Sequence, residues 1–393
     1  MQPLLTERQR DLVVRAEQLA TTFAARAERH DRDGSFPFEN FADLRDAGFL
    51  ALAVPGELGG GGASIYDFCL VQEAIGRGCG ATALGTNMHG YNIGGGLGLF
   101  TDALRQRVAH AVLREGAVVA SSLAEAGASL GAPQVTARKV PGGYRVSGRK
   151  AFCTLAPIFR FFLFNARLEG FDRPGCSGTV TLAAERGIEG MDVVATWDAM
   201  GMRASGSDDI VFRDAFIADE CLIGVEGAGT EGGMGCLPWY ALGIAAVYTG
   251  IGGAAFDYTV AYLKTRHLHP LPASIAHLPG PQFSVATMQI RLEAARALIY
   301  KTAAELADGA DFGDALLAKV TTPQYFATHA ALDVVSEAMQ AVGGPSLLRR
   351  HPLERWYRDV RAGTLHPFTH YWLLEMIGKG ALGLPLDAQP RWV

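Results

Sequence analysis

The sequence has few cysteines, and they form no pattern that would bind a metal or build a disulfide framework. Six cysteines are spread over 393 residues, and no two stand in a Cys-x-x-Cys pair. This distribution excludes small disulfide-rich proteins, and no metal site is expected. The N-terminus, from Met1 to Asp11, carries Glu7, Arg8 and Arg10 where a secretory signal needs an apolar core. We therefore expect reduced thiols and a location in the cytoplasm.

The sequence also has no run of basic residues. Lys and Arg number 35 against 40 Asp and Glu, which leaves a net charge of -5. A protein that binds nucleic acid or an anionic membrane surface needs a concentrated positive patch. Neither partner is expected here, and a small-molecule substrate is favoured.

No apolar segment is long enough to predict a membrane span. The longest, Tyr240–Phe256, is interrupted by Gly243, Gly250, Gly252 and Gly253, and a span needs about 20 predominantly apolar residues. We interpret this segment as a buried helix of a protein without a membrane domain.

What is present is the composition of an ordinary globular protein, with 49% hydrophobic and 19% charged residues. Apolar residues recur at helical spacing in 1–116, short β-rich runs separated by turn residues fill 117–225, and helical spacing returns in 226–393. Residues Gly224–Gly235 contain six glycines and are interpreted as a connection. The pattern predicts an α+β protein in the order helical, β-rich, helical.

One segment near the C-terminus carries the most information. Glu354-Arg355-Trp356-Tyr357-Arg358-Asp359 and, downstream, Thr369 resemble the signature of the acyl-CoA dehydrogenase superfamily. The resemblance extends over nearly the whole chain, through Phe36-Pro37, Leu44–Phe49 and Pro55–Gly62. It implies an N-terminal helical domain, a central β-barrel or sandwich, and a C-terminal bundle of the four-helix type. It also implies FAD and a homo-oligomer, either a tetramer or a dimer.

The resemblance assigns one face of the flavin to the β-rich domain. The family pattern Gly-x-Lys-x-Trp-Ile-Thr is matched by Gly148-Arg149-Lys150-Ala151-Phe152-Cys153-Thr154. Phe152 is then expected against the flavin ring, because an aromatic side chain stacks on a flat ligand. Cys153 is the next residue of the matched run, and Thr154 is expected to hydrogen-bond the flavin edge. The alternative is an ordinary core strand with a hydrogen-bonded threonine.

A second flavin loop is matched less well. The family pattern Thr-Glu-Pro-x-Ala-Gly-Ser corresponds to Ala124-Glu125-Ala126-Gly127-Ala128-Ser129, so the flavin-contacting threonine is replaced by alanine. The main-chain N–H groups of Leu123 and Ala124 remain candidate donors, since they do not depend on the side chain. Ser129 is the candidate for the family serine. An ordinary turn of small residues is the alternative.

The resemblance places the rest of the dinucleotide site in the C-terminal region and at a subunit boundary. Arg266 matches the family arginine that reaches a neighbouring FAD, and His269 is the candidate for the adenine side. The family pattern Gln-x-x-Gly-Gly is matched by a run whose candidate residues are Gln340, Gly343 and Gly344. Glycine lets a backbone approach a pyrophosphate closely, and arginine supplies charge-assisted hydrogen bonds.

The base expected from the resemblance is absent. The family glutamate falls eight residues after Asp359, where this chain has Pro367. The second family location for that glutamate corresponds to Trp239-Tyr240-Ala241, which also lacks a carboxylate, and the nearest acids, Glu231 and Asp257, do not match by spacing. Histidines flank the gap at His366 and His370. A neutral imidazole can act as a base, and either histidine can instead merely close a turn.

Three hypotheses for function stay open. The preferred one is an FAD-dependent dehydrogenase that desaturates an acyl thioester of CoA or a carrier protein with a non-standard base, because the family consists mostly of such enzymes. The second is a monooxygenase that uses reduced FAD or FMN with O₂ on an aromatic, amine or sulfur substrate; that branch resembles this chain in a histidine after the Arg-Asp helix. The third is a catalytically silent flavin-binding subunit.

Overall fold

The computed structural model describes residues 5–128, 132–173, 176–229 and 233–385. Five helices precede the sheet in this part of the chain. Two of them begin with reciprocal capping, in which Thr6 and Ser64 accept from the N–H of the third helical residue while that residue's side chain accepts in return. The helices are α1 (Glu7–Asp33), α2 (Phe38–Asp46), α3 (Ile65–Gly78), α4 (Gly80–Gly94) and α5 (Asp102–Glu115).

The middle of the chain forms an eight-stranded sheet in the described residues. Its path runs β6-β7-β3-β2-β4-β5-β8, and β1 pairs with β4. Most neighbours are antiparallel, whereas β1 and β2 run parallel to β4. The strands are β1 (Val118–Ser121), β2 (Thr136–Val140), β3 (Gly143–Cys153), β4 (Phe159–Leu168), β5 (Thr179–Glu185), β6 (Met191–Val194), β7 (Asp208–Ala218) and β8 (Leu222–Gly227). The predicted boundary at 225–226 falls within β8, and the one at 116–117 falls between α5 and β1.

The chain after the sheet is again helical. The Glu354–Asp359 segment lies on a short helix, and a turn follows that helix. The helices here are α6 (Leu237–Thr265), α7 (Pro279–Ala307), α8 (Leu316–Val342), α9 (Leu353–Gly363) and α10 (His370–Leu382). Helix α9 carries the Arg-Asp motif, and residues 364–369 link it to α10.

Helix α6 is apolar enough and long enough to cross a membrane by length and composition, but 78% of its most apolar window is buried inside the protein. Its glycines explain the close packing. A Cβ on Gly250 would lie 2.2 Å from the carbonyl oxygen of Glu73 in α3, and a Cβ on Gly76 would lie 2.5 Å from that of Val247 in α6. Glycine at both positions lets the two backbones touch. The segment is a core helix, as its interruption by glycines predicted.

One hydrophobic core joins all three regions. Phe23 and Ile75 from the first helices, Phe162 from the sheet, and Tyr248 and Val360 from the last helices belong to one contiguous cluster, and each is buried. The predicted helical, β-rich, helical order and the α+β class are confirmed. Because the core is shared, the strand that carries Phe152 and the helix that precedes the 364–369 turn pack into one structure.

Candidate active site

The end of β3 presents an aromatic ring at the protein surface. Phe152 has a φ of 53° and its side chain is 64% exposed. A non-glycine residue in this left-handed region costs on the order of 1 kcal/mol or more. The ring makes a T-shaped contact with Trp197 at a centroid distance of 6.1 Å, and most of its surface is left open. A strained backbone that holds an open aromatic face suits a flat ligand such as a flavin ring.

The two residues after Phe152 turn inward. The Cys153 side chain is fully buried, and burial raises the pKa of its thiol, so the group stays protonated and can contribute to a ligand only through its main chain. The Thr154 hydroxyl lies 2.8 Å from that of Ser207, which lies 2.7 Å from that of Ser205. This chain of buried hydroxyls fixes the rotamer of Thr154 beside the exposed ring.

The loop after β1 is attached directly to β3. The Ala151 N–H donates to the Ala124 carbonyl at 2.9 Å, and the Ser122 hydroxyl donates to the Ala151 carbonyl at 2.7 Å. The Ala124 N–H donates to the Ser122 oxygen at 3.1 Å, so this predicted flavin donor is already engaged inside the loop. Leu123 is 43% exposed at the same edge. Ser129 lies outside the described residues.

Sequence reasoning did not identify Ser122, which organises this loop. It stands just before the segment matched to the family pattern, and its hydroxyl both donates to β3 and accepts from the loop. The Ser121-Ser122 pair next to the matched pattern is the only signal that would have found it. The loop and the end of β3 therefore form one surface that fits the flavin implied by the sequence.

The turn between α9 and α10 holds His366 against a buried tyrosine. The His366 Nε2 and the Tyr248 hydroxyl are 2.6 Å apart, and the aromatic rings are 5.6 Å apart. Burial lowers the pKa of His366 to about 4, and burial raises the pKa of Tyr248 well above its ordinary value. The pair is therefore a neutral imidazole and a neutral phenol at physiological pH. Gly363 makes room for it, since a Cβ there would lie 2.9 Å from the Tyr248 ring.

The tautomer of His366 decides what the residue can do. If Nε2–H donates to the tyrosine oxygen, the lone pair of Nδ1 is available as a base; if the tyrosine hydroxyl donates to Nε2, Nδ1 carries a proton and acts as a donor. No hydrogen bond to Nδ1 occurs among the residues that the structure describes, and the imidazole is half-buried. Tyr248 was not identified from the sequence because it stands in an apolar helix 118 residues away without a local motif.

His370 belongs to a different cluster. Its Nδ1 lies 2.8 Å from the Nε2 of His329 in α8, and the Nδ1–H of His329 donates to the Tyr325 carbonyl at 2.7 Å. His329 also stacks on Tyr325 with a centroid distance of 4.2 Å. These contacts link the start of α10 to α8. Thr369, the N-cap residue of α10, is exposed and makes no side-chain capping hydrogen bond.

Aromatic side chains line the region between the flavin loop and the turn after α9. Tyr91 in α4 packs edge-on against Tyr240 in α6 at 5.3 Å, and its hydroxyl is hydrogen-bonded to Ser121 at the end of β1. Phe368 packs against the same small cluster as Tyr240. Tyr91 and Tyr240 are half-buried, and burial raises the pKa of both hydroxyls, so they are neutral. The sequence analysis did not identify this aromatic wall, which consists of Tyr91, Tyr240 and Phe368.

Among the described residues, the acids considered from the sequence have partners elsewhere. Asp257 forms an ion pair with Arg77 at the surface, and Glu231 lies outside the described residues. The buried Asp359 accepts from the Met202 N–H at 2.6 Å, and burial raises its pKa to about 6. Asp359 thus connects α9 to the turn before β7. Pro367 is exposed in the link between α9 and α10, and its correspondence to the family glutamate stays a prediction.

The predicted second half of the dinucleotide site is exposed on the single chain. Within the described ranges, no side-chain hydrogen bond or ion pair is made by Arg266, His269 or Gln340, and a Cβ on Gly343 or Gly344 would have no atom within 4 Å. The structure does not bring these residues together with Phe152 or His366. Their role across a subunit boundary stays a prediction.

The fold and this site define a flavin-binding oxidoreductase, and comparison with known proteins identifies its family. Residues 6–116 match the model of the acyl-CoA dehydrogenase N-terminal domain, and residues 242–371 match that of the acyl-CoA dehydrogenase C-terminal domain. The chain therefore belongs to the acyl-CoA dehydrogenase family. The family, the enzyme class and FAD as the family cofactor are confirmed as predicted.

Individual relatives extend over most of the chain. YdbM of Bacillus subtilis strain 168, provisionally named an acyl-CoA dehydrogenase, is 34% identical over 92% of this chain and 94% of its own length. The cyclohex-1-ene-1-carbonyl-CoA dehydrogenase of Syntrophus aciditrophicus strain SB is 30% identical over 96% and 91%. The 3-sulfinopropanoyl-CoA desulfinase of Advenella mimigardefordensis is 30% identical over 97% and 95%.

Solved structures share the fold. Butyryl-CoA dehydrogenase from Megasphaera elsdenii superposes with a TM-score of 0.90 at 24% identity, covering 97% of this chain and 100% of that one. KijD3, solved with FMN and a dTDP-linked amino-keto sugar, superposes with a TM-score of 0.84 at 29% identity, covering 98% and 96%.

Proposed function

We propose that this protein is an FAD-dependent dehydrogenase that introduces an α,β double bond into an acyl thioester. The observation that carries the proposal is the family match over both helical regions, combined with the intact flavin-facing edge at Phe152 and Thr154. When bound, FAD supplies the chemistry of hydride acceptance. The relatives named for CoA thioesters support the substrate class.

Separate residues of this chain would contact the flavin and accept the α-proton. Phe152 offers an open ring face, Thr154 a fixed hydroxyl, and Leu123 an exposed edge of the flavin loop. The neutral His366 takes the place of the missing carboxylate as the candidate base for the α-proton. It serves in the tautomer whose Nε2–H donates to Tyr248, which leaves Nδ1 free and stabilises the imidazolium that forms.

The carrier of the acyl group is CoA or a carrier protein. Counting back from Gly250 places Ala241 where the resembled family has an arginine near CoA, and Ala241 is fully buried in this chain. A thioester bound here therefore lacks that ionic contact and depends on other groups for its phosphates.

We propose a homo-oligomer, a dimer or tetramer, located in the cytoplasm. Large apolar side chains are exposed on the last helices, where Phe283 is 70%, Ile290 68%, Tyr371 80% and Leu382 74% exposed. Such residues mark association surfaces in soluble proteins. The exposed Arg266 and Gln340 fit completion of a neighbour's dinucleotide site. All six cysteines are free thiols, which fits a reducing compartment.

A second candidate function is oxygenation by reduced flavin. Two observations favour it: the site holds a histidine rather than a carboxylate beside Pro367, and the chain is 29% identical to KijD3, which was solved with FMN. In that case the Tyr248 hydroxyl would donate to Nε2 of His366, and the Nδ1–H would be a hydrogen-bond donor to the substrate.

One set of experiments on the purified holoprotein distinguishes the candidate functions. Anaerobic mixing with butyryl-CoA, 3-phenylpropanoyl-CoA and cyclohexanecarbonyl-CoA is expected to bleach the flavin absorbance with at least one ester. Failure of all such esters would reject the dehydrogenase. Formation of a flavin–oxygen adduct after mixing pre-reduced protein with O₂ would support the second candidate. Sulfite release from 3-sulfinopropanoyl-CoA tests the reaction of the desulfinase relatives, and no turnover in any assay identifies a silent subunit.

A further inference from the structure

We propose that the buried ion pair between Glu125 and Lys150 is a positioning device that sets the flavin loop against the end of β3. The Lys150 Nζ lies 2.6 Å from a Glu125 oxygen and 2.6 Å from the Asn165 side-chain oxygen. The lysine side chain is fully buried, and the glutamate side chain is only 3% exposed. The inference rests on the proposed flavin site and concerns residues outside its ligand contacts.

The carboxylate uses both of its oxygens. Its second oxygen accepts from the Gln134 N–H at 2.5 Å and from the Val135 N–H at 3.1 Å. The pair therefore ties together the loop after β1, the segment that enters β2, strand β3 and, through Asn165, strand β4. Four separate segments meet at two side chains.

The position of the pair connects it to the flavin surface. Glu125 directly follows Ala124, and Lys150 stands two residues before Phe152. Between them, the Ala151 N–H donates to the Ala124 carbonyl at 2.9 Å. A change in the Glu125–Lys150 distance must therefore displace the exposed Leu123 relative to Phe152.

Stability alone does not account for this arrangement. Two buried charges lose hydration that their attraction barely repays, and an apolar or neutral pair in the same place is often as stable. The burial of Lys150 opposes its charge strongly enough that its pKa is lowered in spite of Glu125. What a directional ion pair adds is a fixed geometry between two chain segments, and the segments it joins here are those that present Leu123 and Phe152.

A double-mutant cycle separates positioning from stability. Glu125→Gln leaves the lysine charge unpaired, and Lys150→Met leaves the carboxylate without its cation, so both single variants are expected to lose thermal stability and FAD affinity. The double variant carries no charge at position 125 or 150, and its glutamine still offers an acceptor to the Gln134 and Val135 N–H groups. We expect it to recover most of the melting temperature while FAD affinity stays about tenfold weaker, because the loop is no longer held in a fixed position against β3.

FAD affinity is measured by the quenching of flavin fluorescence, and the melting temperature by circular dichroism. Recovery of FAD affinity together with the melting temperature in the double variant would overturn the proposal. Lys139→Met is the matched control, because Lys139 pairs with Asp219 and Glu226 on the exposed side of the same sheet; it should leave FAD affinity unchanged. A loss of FAD affinity in Lys139→Met equal to the loss in the double variant would also count against the proposed positioning role.

A second variant, Glu125→Asp, tests the proposal even if the double variant does not fold. Glu125→Asp keeps the charge and shortens the side chain by one methylene, so the loop must shift to keep the ion pair. Weaker FAD binding in a folded Glu125→Asp protein supports the proposal, and unchanged binding overturns it. Neither measurement uses a thioester, so failure of the proposed dehydrogenation leaves this test independent.

Discussion

Tyr248 and His366 are joined by a hydrogen bond of 2.6 Å across 118 residues of sequence. The bond holds a neutral imidazole in the turn between α9 and α10, and because it engages Nε2 it leaves Nδ1 as the free ring nitrogen. The protonation state and tautomer of His366 therefore depend on a residue of the core helix α6 as well as on the turn itself.

Removing the tyrosine hydroxyl tests this dependence. Tyr248→Phe should reduce turnover about tenfold while FAD content stays unchanged, because His366 loses the partner that fixes its tautomer and stabilises its protonated form. The acidic limb of the pH profile of kcat/KM should also shift. Tyr258→Phe, which removes a hydroxyl bonded to His351 elsewhere, is the control. Equal kinetics and pH profiles in wild type and Tyr248→Phe would reject the coupling.

Replacement of His366 tests the candidate base itself. His366→Gln should lower turnover by about 10²-fold or more, the usual contribution of a general base, without loss of FAD. Turnover is measured by anaerobic flavin bleaching. His370→Gln is the matched variant, because His370 bonds to His329 instead; its effect should be small. A larger loss in His370→Gln than in His366→Gln would reverse the assignment.

The low pKa of His366 also predicts how stability depends on pH. The pKa of His366 is about 4 in the folded protein against 6.5 in the unfolded chain, so the unfolded state binds more protons between these values. The stability that the folded protein gains from a neutral His366 is fully present above pH 6.5 and is lost as the pH falls toward 4. The buried His89, whose pKa burial also lowers to about 4, acts in the same direction, and Asp359, with its pKa raised to about 6, opposes both.

The wild-type melting temperature should therefore fall between pH 6.5 and 4, and His366→Gln should flatten this dependence. Thermal unfolding at a series of pH values measures both curves. Parallel curves for the two proteins would show that His366 titrates normally.

Restoring the family residue at the gap is a gain-of-function test. Pro367→Glu should accelerate flavin bleaching by acyl-CoA about tenfold or more if position 367 faces the reacting carbon, because a carboxylate there can accept the α-proton. The side chain at 367 is exposed, so the added charge needs no buried partner. Pro367→Gln, which adds length without charge, is the control. Equal rates for the two variants would place the substrate elsewhere.

The exposed ring of Phe152 should contribute to FAD binding and little to folding. Phe152→Ala is expected to weaken FAD affinity by about 0.5–1.5 kcal/mol, or roughly two- to tenfold, while the melting temperature of the FAD-free protein stays unchanged. Fluorescence titration and circular dichroism measure the two quantities. Phe216→Ala, a partly exposed phenylalanine of the same sheet, should leave FAD affinity intact. A large fall in stability without loss of affinity would make Phe152 a structural residue.

Much of the fold was predictable because its signals are local. The helical spacing in 1–116 and 226–393 and the short β-rich runs between them depend on residues that are close together in the sequence. The site was less predictable. Phe152 and Thr154 were found through a continuous motif, whereas Ser122, Tyr248 and the Tyr91–Tyr240 wall were not, because their partners come from distant segments.

The sequence by itself determined the family, the α+β architecture and the absence of a carboxylate at position 367, because each depends on residue identity at fixed spacing. Only the tertiary structure decided that His366 rests on Tyr248, that His370 belongs to the His329 cluster, and that Glu125 meets Lys150 under the flavin loop. Those relationships arise when separate helices and strands pack around one shared core, and burial in that core sets the charge states on which the chemistry depends.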